Sequence, residues 1–257
     1  MRSNMMLLMA AAIWGLGFVA QRLGMDHMGP FTFNGLRFLL GAASLLPLLW
    51  WLKSRQPRPQ AGSPAGDRRL LLVGGLIAGG VLFSAASLQQ VGLLYTTAAK
   101  AGFITGLYII LVPVIGLALR HKTGANTWIG ALIAMAGLYY LSVTEEFTIG
   151  YGDLLQVIGA LFWAIHLLVL DHYSNRVAPI RLAGVQFVVC GLLSLGTAFV
   201  IETPTLGGAV AGWQALLYAG LVSVGIGYTL QVVGQRGAHP AHAAIILSLE
   251  TVFAAIG

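Results

Sequence analysis

Three ionisable side chains, Arg37, His166 and Glu250, interrupt long apolar stretches of this chain. An ionisable group in a hydrocarbon environment is costly and usually faces the protein interior or a water-filled cavity. There, a guanidinium can bind a substrate carboxylate, a histidine can titrate near neutral pH, and a carboxylate can exchange a proton. These residue types therefore predict a polar pathway inside an otherwise apolar molecule.

The helix that carries Arg37 has one polar face. Four residues recur at intervals of three and four positions and share that face: Asn34, Arg37, Gly41 and Ser44. This face should point into the protein, where Asn34 and Arg37 would line the pathway. The alternative is that Arg37 extends along its helix to the membrane interface.

Glu250 and His166 each have a functional and a structural interpretation. Glu250 lies about eight residues into its helix, roughly 12 Å deep at 1.5 Å per residue, so its carboxylate needs a partner or a proton. Proton coupling is one interpretation, and a bond to a neighbouring broken helix is the other. His166 can titrate, but a lone histidine on an apolar helix is more often simply hydrogen-bonded within the bundle.

Membrane-spanning helices must position these side chains. Of the 257 residues, 58% are hydrophobic and 9% are charged, against roughly 25% charged in soluble domains. Apolar runs near the roughly 20 residues that cross a bilayer as helix recur along the chain. They are Met5–Leu23, Phe31–Leu52, Leu70–Leu88, Ala99–Leu119, Trp128–Val143, Leu154–Leu170, Leu182–Ile201 and Trp213–Val233, and a ninth begins near His242. Continuous runs favour helices over a β-barrel, so the predicted fold class is an all-α membrane protein.

The basic residues fall mostly on one side of the predicted membrane. The net charge of +6 would suggest nucleic acid in a soluble chain, but here the charges lie in alternate loops. If the N-terminus is cytoplasmic, that side collects Arg2, Lys53, Arg55, Arg58, Arg68, Arg69, Arg120, Lys122, Arg176, Arg181 and Arg236. The pattern predicts a bacterial-type inner-membrane protein with its N-terminus in the cytoplasm, surrounded by lipid and not bound to nucleic acid.

Motifs for several other functions are missing from the sequence. Cys190 is the single cysteine, and His239 and His242 flank Pro240 without the glutamate of a zinc-protease helix. There is neither a P-loop nor a nucleophile elbow. The sequence therefore predicts no metal and no cofactor, and an intramembrane enzyme is the least favoured function.

The chain contains an internal repeat. A shift of 149 residues lays Ala11, Trp14, Pro30, Gly35 and Phe38 on identical residues, and a shift of 142 continues the match from Leu88 to Leu107. Trp14 thus corresponds to Trp163, and Gln89 to Gln231. An odd number of spans precedes the second copy, so the repeats should be inverted, as in many secondary transporters whose substrate site lies between the halves.

The repeat adds two pairs of pathway candidates. Trp14 and Trp163 lie inside their spans, where they can form a cavity wall or simply pack in the core. Gln89 and Gln231 can face the pathway or bond across helices.

Five sequence pieces follow one another in a specific order. They are AAAIWGLGFVAQ near Trp14, LRFLLG at Arg37, TTAAKAGFITGLYIILVPV around Pro113, GALFWAIHLLVLDHYS at Trp163 and AIILSLETVFAAIG at the end. Together they resemble the EamA family of the drug/metabolite transporter superfamily. The resemblance implies ten helices in two inverted five-helix repeats, and export of small metabolites such as amino acids or of drugs.

The end of the chain departs from the family pattern. Thr251 follows Leu249 and Glu250 where the family usually has proline, so the family's kink is not predicted from the sequence here. The chain also stops at Gly257, so we expect a fragment truncated in helix nine, without helix ten. The repeats would then be residues 1–143, with helices one to five, and 144–257, with helices six to nine.

The predicted function is a secondary transporter for small molecules that works by alternating access. A passive channel or facilitator remains the alternative, and a homodimer stays open. The predicted substrate pathway consists of Trp14, Asn34, Arg37, Gln89, Trp163, His166, Gln231 and Glu250.

Overall fold

A computed structural model of the chain describes residues 2–55, 65–120, 123–142 and 150–256. Within these ranges the chain forms helices and no strand, in nine segments. Segments 1 to 5 are Arg2–Met25, Pro30–Ser44 with Leu46–Arg55, Ala65–Gly92, Ala98–Thr105 with Tyr108–Ala118, and Ala125–Ser142. Segments 6 to 9 are Tyr151–Ser174, Pro179–Ile201, Trp213–Leu217 with Tyr218–Tyr228 and Thr229–Gln235, and Pro240–Leu247 with Glu250–Ile256. A short helix, Leu206–Ala211, precedes segment 8.

The helices are suited to a bilayer. In the described part of the chain, seven are long and apolar enough to cross it, and two shorter apolar helices cover Ala125–Gly137 and Pro240–Ala254. Large apolar side chains such as Leu132, Ile133 and Phe199 are exposed on the outside, as lipid-facing surfaces require. The prediction of an all-helical membrane protein is confirmed.

Local sequence explains where several helices begin. Pro30, Pro179 and Pro240 each stand at the first turn of a segment, where proline lacks only an N–H that the helix would leave unpaired. Segment 4 begins after Thr97, whose hydroxyl accepts a hydrogen bond from the Lys100 backbone N–H.

Glycines let neighbouring segments pack closely. A Cβ atom at Gly75 would lie 2.3 Å from Val185 Cγ1, and one at Gly79 would lie 2.5 Å from Val189 Cβ. Both contacts join segments 3 and 7. These glycines have the packing role that small residues have between membrane helices.

The segments pack in pairs that correspond under the internal repeat. Segment 3 packs on segments 6 and 7, and segment 8 packs on segments 1 and 2. Segment 4 packs on segment 6, and segment 9 packs on segment 1. Repeat-related residues even meet each other: the rings of Phe38 and Phe187 are 6.3 Å apart.

Segments 4 and 9 break at corresponding positions. The first helix of segment 4 ends at Thr105 and the second begins at Tyr108, while segment 9 breaks between Leu247 and Glu250. A shift of 142 residues relates the two breaks. The break in segment 9 thus forms without the family's proline, which the sequence had left in doubt. Beside this break, Thr251 Oγ1 donates to the Gly102 carbonyl of segment 4 at 3.1 Å.

Segment 8 departs from regular α-helix over Tyr218–Tyr228, which forms a π-helix. Such wide turns are rare and often occur at functional sites. The boundary predicted between residues 143 and 144 lies outside the described residues, as do Arg58 and Lys122.

Candidate functional site

A cavity lies among segments 1, 2, 3, 4, 6, 8 and 9. Residues of both predicted repeats line it: Trp14, Phe18, Gln21, Arg37, Gln89, Thr105, Tyr108, Trp163, Leu167, Ser223, Tyr228, Gln231, Leu247 and Glu250.

Six of the eight predicted pathway residues line this cavity: Trp14, Arg37, Gln89, Trp163, Gln231 and Glu250. The other two, Asn34 and His166, are fully buried behind it. The structure thus brings together side chains that are up to 236 positions apart, between Trp14 and Glu250.

Arg37 is only 2% exposed, so it does not extend to the membrane interface. Its Nε donates to Asn34 Oδ1 at 2.9 Å, and Asn34 Nδ2 donates to the Ala86 carbonyl at 3.1 Å. The guanidinium also lies over the rings of Phe38, at 4.9 Å, and Phe33, at 5.6 Å. Asn34 therefore links Arg37 to segment 3, and cation–π contacts with the two rings stabilise the charge of the guanidinium.

Glu250 has a partner from the other broken segment. Its side chain is 6% exposed, and its Oε1 accepts a hydrogen bond from the Tyr108 hydroxyl at 3.1 Å. Tyr108 is also the repeat counterpart of Glu250. The bond therefore joins the two helix breaks inside the cavity, in keeping with the structural interpretation of Glu250 and without excluding proton exchange.

An aromatic wall, formed by Trp14, Trp163 and Tyr228, bounds one side of the cavity. The Tyr228 ring lies 4.5 Å from Trp14 and is stacked at 6.1 Å on Trp163, with an interplanar angle of 23°. Trp14 Nε1 donates to the Ser223 carbonyl within the π-helix at 3.2 Å. The two tryptophans of the repeat thus face one ring from segment 8.

His166 lies behind the aromatic wall. Its Nε2 is 2.9 Å from Gln186 Oε1, and its ring is 6.0 Å from that of Trp163. This arrangement matches the hydrogen-bonded role expected of a lone histidine. Trp163 lies between His166 and the cavity, so His166 can affect a solute only by positioning Trp163.

Amides line the rest of the cavity. Gln89 Nε2 lies 3.4 Å from Thr105 Oγ1, and the Gln89 carbonyl accepts from Gln156 Nε2 at 3.0 Å. Gln231 is its repeat counterpart and is equally buried. These groups offer both donors and acceptors to a polar solute.

The sequence analysis missed Tyr228 and Tyr108. Tyr228 lies three residues before Gln231, on the same helical face, which is a signal that could have found it. Its repeat counterpart is Ala86, so the repeat did not flag it. Tyr108 was aligned with Glu250, but two repeat-related residues meet only if they straddle the axis between the halves, which a sequence alignment does not reveal.

An ion pair lies away from the cavity, at one membrane face. Lys100 Nζ is 2.8 Å from Asp153 Oδ2, and Thr96 Oγ1 donates to Asp153 Oδ1 at 2.6 Å. These contacts join the start of segment 4 to the start of segment 6. In the described part of the chain, no group of three or more His, Cys, Asp or Glu side chains could hold a metal ion.

Comparison with known proteins shows which family this chain resembles. The EamA-like transporter family matches residues 1–143 and 150–256. An uncharacterized transporter of Archaeoglobus fulgidus is 32% identical over 257 residues, which cover 96% of this chain and 74% of the relative. The uncharacterized transporter YetK of Bacillus subtilis is 29% identical over 227 residues, which cover 82% of this chain and 65% of the relative.

A solved crystal structure shares the fold. It superimposes with a TM-score of 0.75 at 19% sequence identity and covers 98% of this chain and 85% of its own. At this identity the likeness concerns the fold alone.

Proposed function

This chain belongs to the EamA-like transporter family, and we propose that it is a secondary transporter that exports small metabolites, such as amino acids or drug-like solutes, by alternating access. The names of its relatives indicate a transporter rather than an enzyme. The apolar helices make it a multi-pass membrane protein.

The proposed architecture is a bundle of two inverted five-helix repeats, with residues 1–143 in the first and the second beginning at residue 144. The repeat-related packing of segments 1, 2, 3 and 4 against segments 8, 7, 6 and 9 supports it. So do the matching breaks at Thr105–Tyr108 and Leu247–Glu250. Broken helices at mid-depth are a common feature of transporter substrate sites.

One observation carries the proposal: side chains from both proposed repeats line one cavity between them. If one half rocks against the other, this cavity opens to one side of the membrane and then to the other. A small solute inside it would cross without a continuous pore.

The pathway residues have distinct proposed roles. Arg37 and Glu250 provide polar contacts to the solute, Trp14 and Trp163 provide a flat apolar surface, and Gln89 and Gln231 provide hydrogen bonds. Asn34 and His166 position Arg37 and Trp163 respectively. The proposed location is the inner membrane with a cytoplasmic N-terminus, supported by the excess of Lys and Arg in alternate loops.

Counterflow in proteoliposomes tests this function. Labelled amino acids are offered to liposomes preloaded with unlabelled ones, at two pH values, for the native protein and the variants Arg37→Ala and Glu250→Gln. We expect saturable counterflow that each change slows by about tenfold or more. Arg176→Gln is the control, because Arg176 is exposed and contacts His172 outside the cavity.

The outcomes distinguish a carrier from a facilitator. A carrier exchanges labelled for unlabelled solute and saturates, whereas a passive facilitator only dissipates the gradient. Folded native protein without exchange of any solute would contradict the proposal.

A further inference from the structure

We propose that the cavity recognises solutes in which a carboxylate is joined to a flat aromatic body, with the carboxylate bound by Arg37. This inference rests on the proposed transport function and names its substrate class.

The charge of Arg37 lacks a counter-ion. Among the described residues, no carboxylate lies within 4 Å of its guanidinium, and Asn34 Oδ1 is the acceptor of its Nε. Burying a cation without an anion is costly in a membrane protein, and the contacts with Phe33 and Phe38 offset only part of that cost. A solute carboxylate can accept two parallel N–H bonds from a guanidinium and supply the missing charge.

The internal repeat shows that this fold does not need a cation at the position of Arg37. A shift of 149 residues places Gln186 of segment 7 at the corresponding position. Gln186 is also fully buried, but it contacts His166 and does not line the cavity. The same packing position therefore accepts a neutral amide. Of the two repeat-related residues, only the one that lines the cavity, Arg37, is a cation.

The remaining lining fits the rest of such a solute. Trp14, Trp163 and Tyr228 form the aromatic wall, on which a flat ring can stack.

Competition binding to the purified protein in lipid nanodiscs tests the inference. Labelled indole-3-acetate is displaced by unlabelled indole-3-acetate, by the neutral indole-3-ethanol and by the cationic tryptamine, which share the ring. We expect the carboxylate to bind about tenfold or more tightly than either competitor. This preference should vanish in Arg37→Gln, which introduces the amide of the repeat counterpart, and persist in Arg37→Lys and in the surface control Arg176→Gln.

Several results would overturn the inference: no binding of indole-3-acetate to the native protein, equal affinity for the three compounds, or an undiminished preference in Arg37→Gln. If Arg37→Gln binds none of the three compounds, the Arg37→Lys variant provides the test. It keeps a cation at the site, so it must still prefer the carboxylate. Counterflow without a carboxylate preference would refute this inference alone. A carboxylate preference without counterflow would refute the transport function instead.

Discussion

At the scale of single residues, the hydrogen bond between Tyr108 and Glu250 joins two broken segments and also lies in the lining of the cavity. A buried carboxylate is stabilised by a hydrogen-bond donor, and here the donor comes from the other broken segment at 3.1 Å. The two residues should therefore act as one unit in transport.

A double-mutant cycle checks this coupling. We expect Tyr108→Phe and Glu250→Gln each to slow counterflow by about tenfold, and the double variant to be about as slow as Glu250→Gln alone, because partners in one bond are not additive. Tyr139→Phe is the matched control, since Tyr139 packs on Phe103 outside the cavity. Effects that multiply to about a hundredfold would show that the two side chains act separately.

The sequence was most informative about residues whose type is costly in a membrane. Arg37 and Glu250 could be identified because an ionisable side chain inside an apolar run is costly and usually has a partner or a function. Tyr228 could not, because an aromatic residue in an apolar helix is ordinary and only its contact with Trp14 and Trp163 distinguishes it.

At the scale of elements, segments 3 and 7 approach each other closely at Gly79. A Cβ atom at Gly79 would lie 2.9 Å from the backbone oxygen of Gln186, whereas one at the neighbouring Gly80 would meet nothing within 4 Å. The two glycines thus form a matched pair in one helix.

Alanine substitutions at Gly79 and Gly80 should have different effects on stability. Gly79→Ala should destabilise the protein by about 1–3 kcal/mol through overpacking, and lower the melting temperature measured in detergent. Gly80→Ala should leave the melting temperature unchanged or raise it slightly, since alanine favours helix. Equal melting temperatures for the two variants would contradict the packing described for segments 3 and 7.

Helix breaks were the elements that the sequence did not predict. The runs Phe31–Leu52 and Trp213–Val233 were each predicted as one continuous span, yet segment 2 is interrupted at Leu45, two residues before Pro47, and segment 8 contains a π-helix. Hydropathy averages over many residues and does not register a local change of hydrogen-bond pattern. The missing proline at Thr251 was also misleading, because a tertiary contact with Gly102 accompanies that break.

At the scale of the whole molecule, the fold class and the family could be predicted better than the site. Long apolar spans leave a strong sequence signal, and the family comparison agrees with a helical membrane transporter. The cavity depends on how side chains from distant segments meet, so its lining became visible only in three dimensions.

Alternating access requires that the two halves move against each other around the cavity. Tyr95 and Tyr151 lie at one membrane face, where their rings are 5.3 Å apart. The repeat shifts of 142 and 149 residues relate them to Gly237 and Arg2, which are exposed at the other face. These four positions provide one reporter pair for each face.

Electron paramagnetic resonance can measure spin-label distances across both pairs, with and without a transported solute, and so detect this motion. The labels are placed on cysteines in a Cys190→Ala protein that retains counterflow. We predict opposite changes: when the distance between positions 95 and 151 lengthens, the distance between positions 2 and 237 shortens. Distances that lengthen together, or that do not respond to any transported solute, would contradict alternating access.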